Sequence, residues 1–138
     1  MNETAMTEWL IKAYHDITSA KILYEANHYT DSIAVDLHYA VEKILKSFLA
    51  YENKKIPKTH DLVEVYKRID KKYKEKLEFY DEDLDMLENI SEYHIEESYP
   101  PFENSLPPRE KIREVLEFSQ CLLDKTCKIL NVDKESLK

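Results

Sequence analysis

The residues of this chain whose chemistry could serve a site are concentrated between positions 16 and 99. Asp16 falls inside the apolar arc of its helix, between Leu23 and Trp9, and a carboxylate placed there needs a partner. Lys43 and His60 are the candidates for a cross-bundle partner; the alternative is that Asp16 sits at the rim of the arc and reaches water. Glu42 and Lys46 have the favourable i, i+4 ion-pair orientation, and with Lys43 they read as a solvated face opposite the apolar one. A lysine pair there would suit a phosphate. In Thr59-His60-Asp61, Thr59 reads as an N-cap and Asp61 as a first-turn acid, while His60 at a helix N-terminus could join an anion site. His94 lies on an apolar stripe beside Leu87 and reads as a core-edge residue. No Ser-His-Asp spacing, glycine-rich loop or metal-ligand pattern offers a further chemistry. No cofactor or metal is therefore expected.

Helices must position these groups. The 138 residues include no glycine, where average usage would give roughly ten, and this weighs against hairpins and phosphate-cradling loops. The five prolines all fall between apolar-periodic segments. Five helices are predicted. The first runs from Thr7 to Asn27 on Leu10, Ala13, Ile17, Ala20 and Tyr24, and the second from an N-cap at Thr30 to Tyr51 on Ile33, Leu37, Ala40, Val41, Ile44, Leu45 and Phe48. Pro57 and Thr59 open the third, with Leu62, Tyr66 and Ile69. The fourth spans Asp83 to Glu97, and the fifth follows Pro108 through Ile112, Val115, Leu116, Leu122, Leu123, Thr126 and Leu130. The expected fold is an all-α, antiparallel up-and-down bundle forming one domain over residues 1–138, with Trp9, Ile17, Leu37, Ile44, Leu62, Leu84, Ile112 and Leu123 in its core.

Charge is unevenly distributed. The net value of -8 argues against tight nonspecific duplex binding, yet residues 54–76 hold nine Lys or Arg against four acids, and residues 77–108 hold ten acids with no Lys or Arg. The two blocks either attract each other as neighbouring helices or form a basic, anion-facing edge and an acidic face for a basic partner. No run approaches the eighteen or so apolar residues needed to span a bilayer, and Met1-Asn2-Glu3-Thr4 is unlike a signal peptide, so a cytoplasmic protein is expected. Cys121 and Cys127 lie about 240° apart around one helix and cannot bridge each other.

Ala40-Val41-Glu42-Lys43-Ile44-Leu45-Lys46, followed by Thr59-His60-Asp61-Leu62, resembles the signature of the HEPN family (higher eukaryote and prokaryote nucleotide-binding domain). Trp9, Ala13, Asp16, Ala20 and Leu23 fit that family's first helix, and Ser98-Tyr99-Pro100 stands where many members carry Arg-Tyr-Pro. The resemblance covers roughly residues 7–130. It implies a helical bundle, commonly dimeric, in which the Glu-Lys and later Lys positions share a role in the dimer cleft or in ligand contact. The ligand-binding candidates are thus Asp16, His38, Glu42, Lys43, Lys46 and His60. Ribonuclease members resemble one another in an Arg followed four to six residues later by His; here no His follows Arg68, Arg109 or Arg113 at that distance.

Three functions follow as expectations. The favoured one is a noncatalytic homodimer that binds nucleotide or RNA, or that partners a minimal nucleotidyltransferase in a toxin–antitoxin type pair, as the resemblance implies. The others are a metal-independent ribonuclease with a displaced site built from His60, His94, Tyr93 and Tyr99, and a ligand-free scaffold. The broad apolar arc of the second helix, together with family habit, places that helix and the fourth near the dimer seam.

Overall fold

The computed structural model describes residues 1–96 and 106–138, with the side chains of positions 95 and 96 excepted. Six α-helices appear: α1 (Glu3–Glu25), α2 (Thr30–Tyr51), α3 (Leu62–Lys67), α4 (Lys71–Leu77), α5 (Asp81–Glu96) and α6 (Arg109–Ile129), with a final 3₁₀ turn at Lys134–Leu137. No strand occurs among the described residues. The fold is an all-α bundle, with one helix more than the periodicity predicts. The extra element arises where the expected third helix breaks. Asp70 takes an extended conformation after the Arg68 cap, and α4 then starts, its only buried side chains being Tyr73 and Leu77. Two apolar positions in a Lys- and Glu-rich stretch give too weak a stripe to be read as a helix.

α1 and α2 run antiparallel, and their ends are tied where the Asn2 N–H donates to the Tyr51 carbonyl at 2.9 Å. α1 starts on an Asn2 side chain that accepts the Ala5 N–H. α2 begins at Thr30 itself. Tyr29 occupies the capping position that the sequence suggests for Thr30, with no side-chain cap bond. α2 is the axis of the bundle. Ile33, Leu37, Ala40, Val41, Ile44 and Leu45 are fully buried, and α1, α3, α5 and α6 all pack against it. The apolar arc expected to face a second copy is therefore covered within the chain. Among the expected core residues, Ile17, Leu37, Ile44, Leu62, Ile112 and Leu123 are buried, but Trp9 and Leu84 are only partly covered. Trp9 faces the Lys46 ammonium, 6.0 Å from its ring centre, a neighbour that keeps the indole at the bundle surface.

A chain without glycine still has to end its helices. Asn27, Asn53 and Asn131 adopt left-handed φ of 57°, 55° and 57° just beyond α1, α2 and α6. Each is followed by the paired bonds of a Schellman motif, such as Asn27 N–H to Tyr24 carbonyl and His28 N–H to Leu23 carbonyl. Asparagine tolerates this region better than other residues with a Cβ. Glu78 closes α4 in the same region without that advantage.

The described parts of the basic and acidic blocks form no ion pairs with each other. Among the described residues the ion pairs of the basic block stay local or reach α2's end, as in Lys54–Asp70, Arg68–Glu64 and Lys72–Glu52, and none reaches α5. No helix among the described residues is long and apolar enough to cross a membrane.

The caps and core give two expectations. Leu37→Ala should cost about 2 to 5 kcal/mol of unfolding free energy in a denaturant titration, as a large-to-small change at a fully buried position. Glu78→Gly should raise stability by about 0.5 to 1 kcal/mol, because it relieves a left-handed residue that carries a Cβ. An unchanged midpoint for either would contradict the packing or the cap described.

Candidate functional site

The site grows from one buried carboxylate. Glu42 lies on α2 with 8% of its side chain exposed, and its two oxygens are divided between two partners. Oε2 accepts from Lys46 Nζ at 3.0 Å, one turn along the helix, and Oε1 accepts from His60 Nδ1 at 2.8 Å, across the loop that leads into α3. Burial alone would push the Glu42 carboxyl up, but the bonds from His60 and Lys46 outweigh it and hold the group below its usual range. Glu42 is therefore an anion. An ionised carboxylate can only accept, so His60 Nδ1 carries a proton and, in the neutral ring, Nε2 is a bare acceptor.

The loop is held from a second side. His38, fully buried on α2, donates from Nε2 to the His60 carbonyl at 2.9 Å. Its Nδ1 is then a lone pair 3.9 Å from Glu42 Oε1, with no hydrogen-bond partner. Burial keeps His38 below the ordinary imidazole range, against the opposing pull of the His60 carbonyl and Glu42. α3 is fixed by Asp61, whose carboxylate accepts the N–H groups of Val63 and Glu64. Thr59, the expected cap, instead accepts the Asp61 N–H at 3.1 Å, which puts His60 in the loop before the helix and not in its first turn. Ser91 joins α5 to this point: its hydroxyl donates to the Leu87 carbonyl and accepts the Leu62 N–H, both at 2.9 Å.

That stitch brings His94 over His60. The rings stack at 4.0 Å with 18° between planes, and Tyr39 stands edge-on to His94 at 5.8 Å. His94 is thus part of a cluster of three imidazoles and not the isolated core-edge residue its stripe suggests. Burial, and next the nearby His60, lower its proton affinity. The pair forms one wall of a pocket of about 680 Å³, completed by Thr59, Asp61, Glu88, Ser91 and Glu92. A second concavity of about 450 Å³ adjoins it at Thr59 and is lined by Lys55, Ile56, Pro57, Lys58, Glu64 and Arg68.

The remaining sequence candidates lie around this centre. Lys43 Nζ meets Asp16 Oδ2 at 2.6 Å with both side chains about a quarter exposed, so Lys43 is the cation that satisfies Asp16, and His60 is not. Burial, and next the Asp16 charge, raise the carboxyl of the neighbouring Asp36. Lys46 is 6% exposed and bonded to Glu42, so the expected solvated face of α2 is in fact buried here, under the α3 loop and Trp9. Tyr93 belongs to the core, and Tyr99 lies outside the described residues. Sequence reasoning did not single out Glu88, Ser91 and Glu92, although their i, i+3, i+4 spacing puts them on one face of α5. Nor did it separate Lys55, Lys58 and Arg68 from the rest of the basic block.

Chemically, the Glu42–His60 pair resembles an oriented base, and His94 adds a second imidazole. No Lys or Arg lines their pocket among the described residues. No group of His, Cys, Asp or Glu among the described residues has the arrangement to hold a metal.

The depressed His38 carries a pH consequence. Its folded proton affinity lies below the unfolded value near 6.5, so the unfolded chain binds more protons as pH falls through that value, and stability drops with it. Melting temperature should fall between about pH 7 and pH 5, and His38→Gln, which keeps a donor for the His60 carbonyl, should reduce that slope. A slope unchanged by the substitution would contradict a neutral, buried His38.

No curated protein matches the chain. A solved structure, described as the crystal structure of TT1696 from Thermus thermophilus, superposes with a TM-score of 0.76 at 17% identity, covering 93% of this chain and 98% of that one, a likeness of fold. The HEPN domain profile matches residues 6–130. On that extent, which takes in every residue of the His-Glu cluster, the chain belongs to the HEPN domain family.

Proposed function

We propose that this protein is a noncatalytic HEPN module that binds nucleotide or single-stranded RNA. The observation that carries the reading is the junction at Thr59. On one side is a pocket walled by stacked imidazoles, suited to a base. On the other is a concavity with Lys55, Lys58 and Arg68, suited to phosphate. Lys46 contributes no accessible charge, and Lys43 is held by Asp16, so the phosphate role expected of that lysine pair passes to the basic edge.

A homodimer in the cytoplasm is the expected working form, by the habit of the family. The apolar arc of α2 is covered within the chain, which favours a seam built from other surface. A minimal nucleotidyltransferase remains the partner that the family implies, and the exposed acids of α5 offer a face for a basic protein.

One observation favours the ribonuclease alternative: Glu42 orients His60 as a base towards the pocket and His94 stacks on it. Cleavage of RNA to a cyclic phosphate also needs a cation to stabilise the phosphorane, and none lines that pocket among the described residues. Binding without turnover is the better reading. A scaffold with no ligand would leave the junction at Thr59 without a role.

Labelled single-stranded RNA should bind weakly at low salt, and Lys58→Ala or Arg68→Ala should weaken binding and flatten its salt dependence by about 0.7 in log-log slope per lost phosphate contact. RNA incubated with the protein in EDTA should stay intact. Cleavage abolished by His94→Ala would instead establish the ribonuclease, and absence of all binding at low salt the scaffold. Sedimentation at micromolar concentration should give a dimer; a strict monomer would contradict the homodimer while leaving the junction at Thr59, which lies within one chain, intact.

A further inference from the structure

Three carboxylates, those of Asp61, Glu88 and Glu92, are among the described residues that line the imidazole-walled pocket. Glu88 and Glu92, one turn apart on α5, are both exposed, and neither has an ion-pair partner among the described residues. His60 donates from Nδ1 to Glu42, so in the neutral ring its Nε2 is an acceptor. The Ser91 hydroxyl is saturated, with its hydrogen on the Leu87 carbonyl and its oxygen on the Leu62 N–H. The Thr59 hydroxyl keeps a hydrogen to give, since its oxygen already accepts the Asp61 N–H, and a neutral His94 carries one ring N–H. Among the described residues, a base entering here meets the carboxylates of Glu88 and Glu92, the Thr59 hydroxyl and the outer side of the His60–His94 stack.

The four bases differ sharply against such a lining. Guanine offers two adjacent donors on its Watson–Crick edge, N1–H and the N2 amino group, spaced to meet the two oxygens of one carboxylate, with O6 beside them as an acceptor. Adenine and cytosine place a ring nitrogen lone pair next to their amino group, and that lone pair would face a carboxylate. Uracil has one donor between two carbonyls. Single-stranded recognition reads this edge while the ring stacks on an aromatic face. Resting on the nucleotide-binding reading above, we infer that the pocket between His60, His94, Glu88 and Glu92 is a guanine subsite: the base extends the His60–His94 stack on an outer ring face, donates from N1 and N2 to a glutamate of α5, and accepts at O6 from Thr59. The phosphate then lies towards Lys58 and Arg68, away from the acids that would repel it.

Calorimetric titration with 5′-GMP, AMP, CMP and UMP at low salt tests this, since the four share the ribose and phosphate and differ only in the base. GMP should bind about tenfold more tightly than AMP, the discrimination expected of one bidentate pair. Glu88→Gln and Glu92→Gln, singly and together, change exposed side chains of the same shape and do not threaten the fold. The double variant should lose the GMP preference while AMP binding is kept or improved by the loss of negative charge. A uridine pentanucleotide with central guanosine, compared with one carrying central adenosine, separates the sources. Preference in the pentanucleotide alone assigns the subsite to RNA, and preference among mononucleotides assigns it to free nucleotide as well. AMP binding as tight as GMP, or a preference that survives the double substitution, overturns the guanine subsite and leaves nucleotide binding standing. Absence of binding by all four nucleotides and both pentanucleotides overturns the two readings together.

Discussion

The buried Glu42 carboxylate is the constraint on which the rest of the site depends. An anion withdrawn from water on the central helix of a bundle must be fully paired, and two groups pair it: Lys46 from its own helix and His60 from the loop beyond. The pairing fixes more than charge. It draws the α3 loop onto α2, sets which His60 nitrogen carries the proton, and turns the other towards the pocket. Removing Glu42 would leave Lys46 as a buried cation without its carboxylate, the costlier kind of change for such a network.

His38 reinforces the loop by a different route, gripping the backbone carbonyl of His60 while leaving its own second nitrogen unpaired beside Glu42. A buried unpaired acceptor is unfavourable, and protonating it would satisfy the carboxylate as well, yet burial opposes the charge. The cluster therefore holds a neutral His38 beside one carboxylate, and acid works against that balance. Ser91 completes the arrangement from α5 and explains why His94, remote in sequence from His60, ends face to face with it.

The helices were largely legible, because their stripes recur at three and four positions and prolines punctuate them. α4 was not, since Tyr73 and Leu77 alone give no clear period. The site was legible as a set of residues and misread in its surroundings. On a wheel, Glu42 and Lys46 lie opposite the apolar arc, and a wheel cannot show that the chain returns to cover that side through His60 and Trp9. Asp16 was easier, because an acid within an apolar arc demands a cation and Lys43 was one of two on offer. Thr59 and Asp61 are both competent caps, and the choice of Asp61 is decided by where α3 meets Ser91 of α5, which is tertiary information.

Long-range proton–nitrogen NMR of the imidazole rings at neutral pH, recorded with and without nucleotide, tests the central claim most directly. The structure requires His60 as the Nδ1–H tautomer and His38 as the Nε2–H tautomer, with the His60 and His94 signals shifting on nucleotide addition. A His60 ring protonated on Nε2 alone, or His60 and His94 signals indifferent to nucleotide, would contradict a carboxylate-oriented imidazole that faces the ligand.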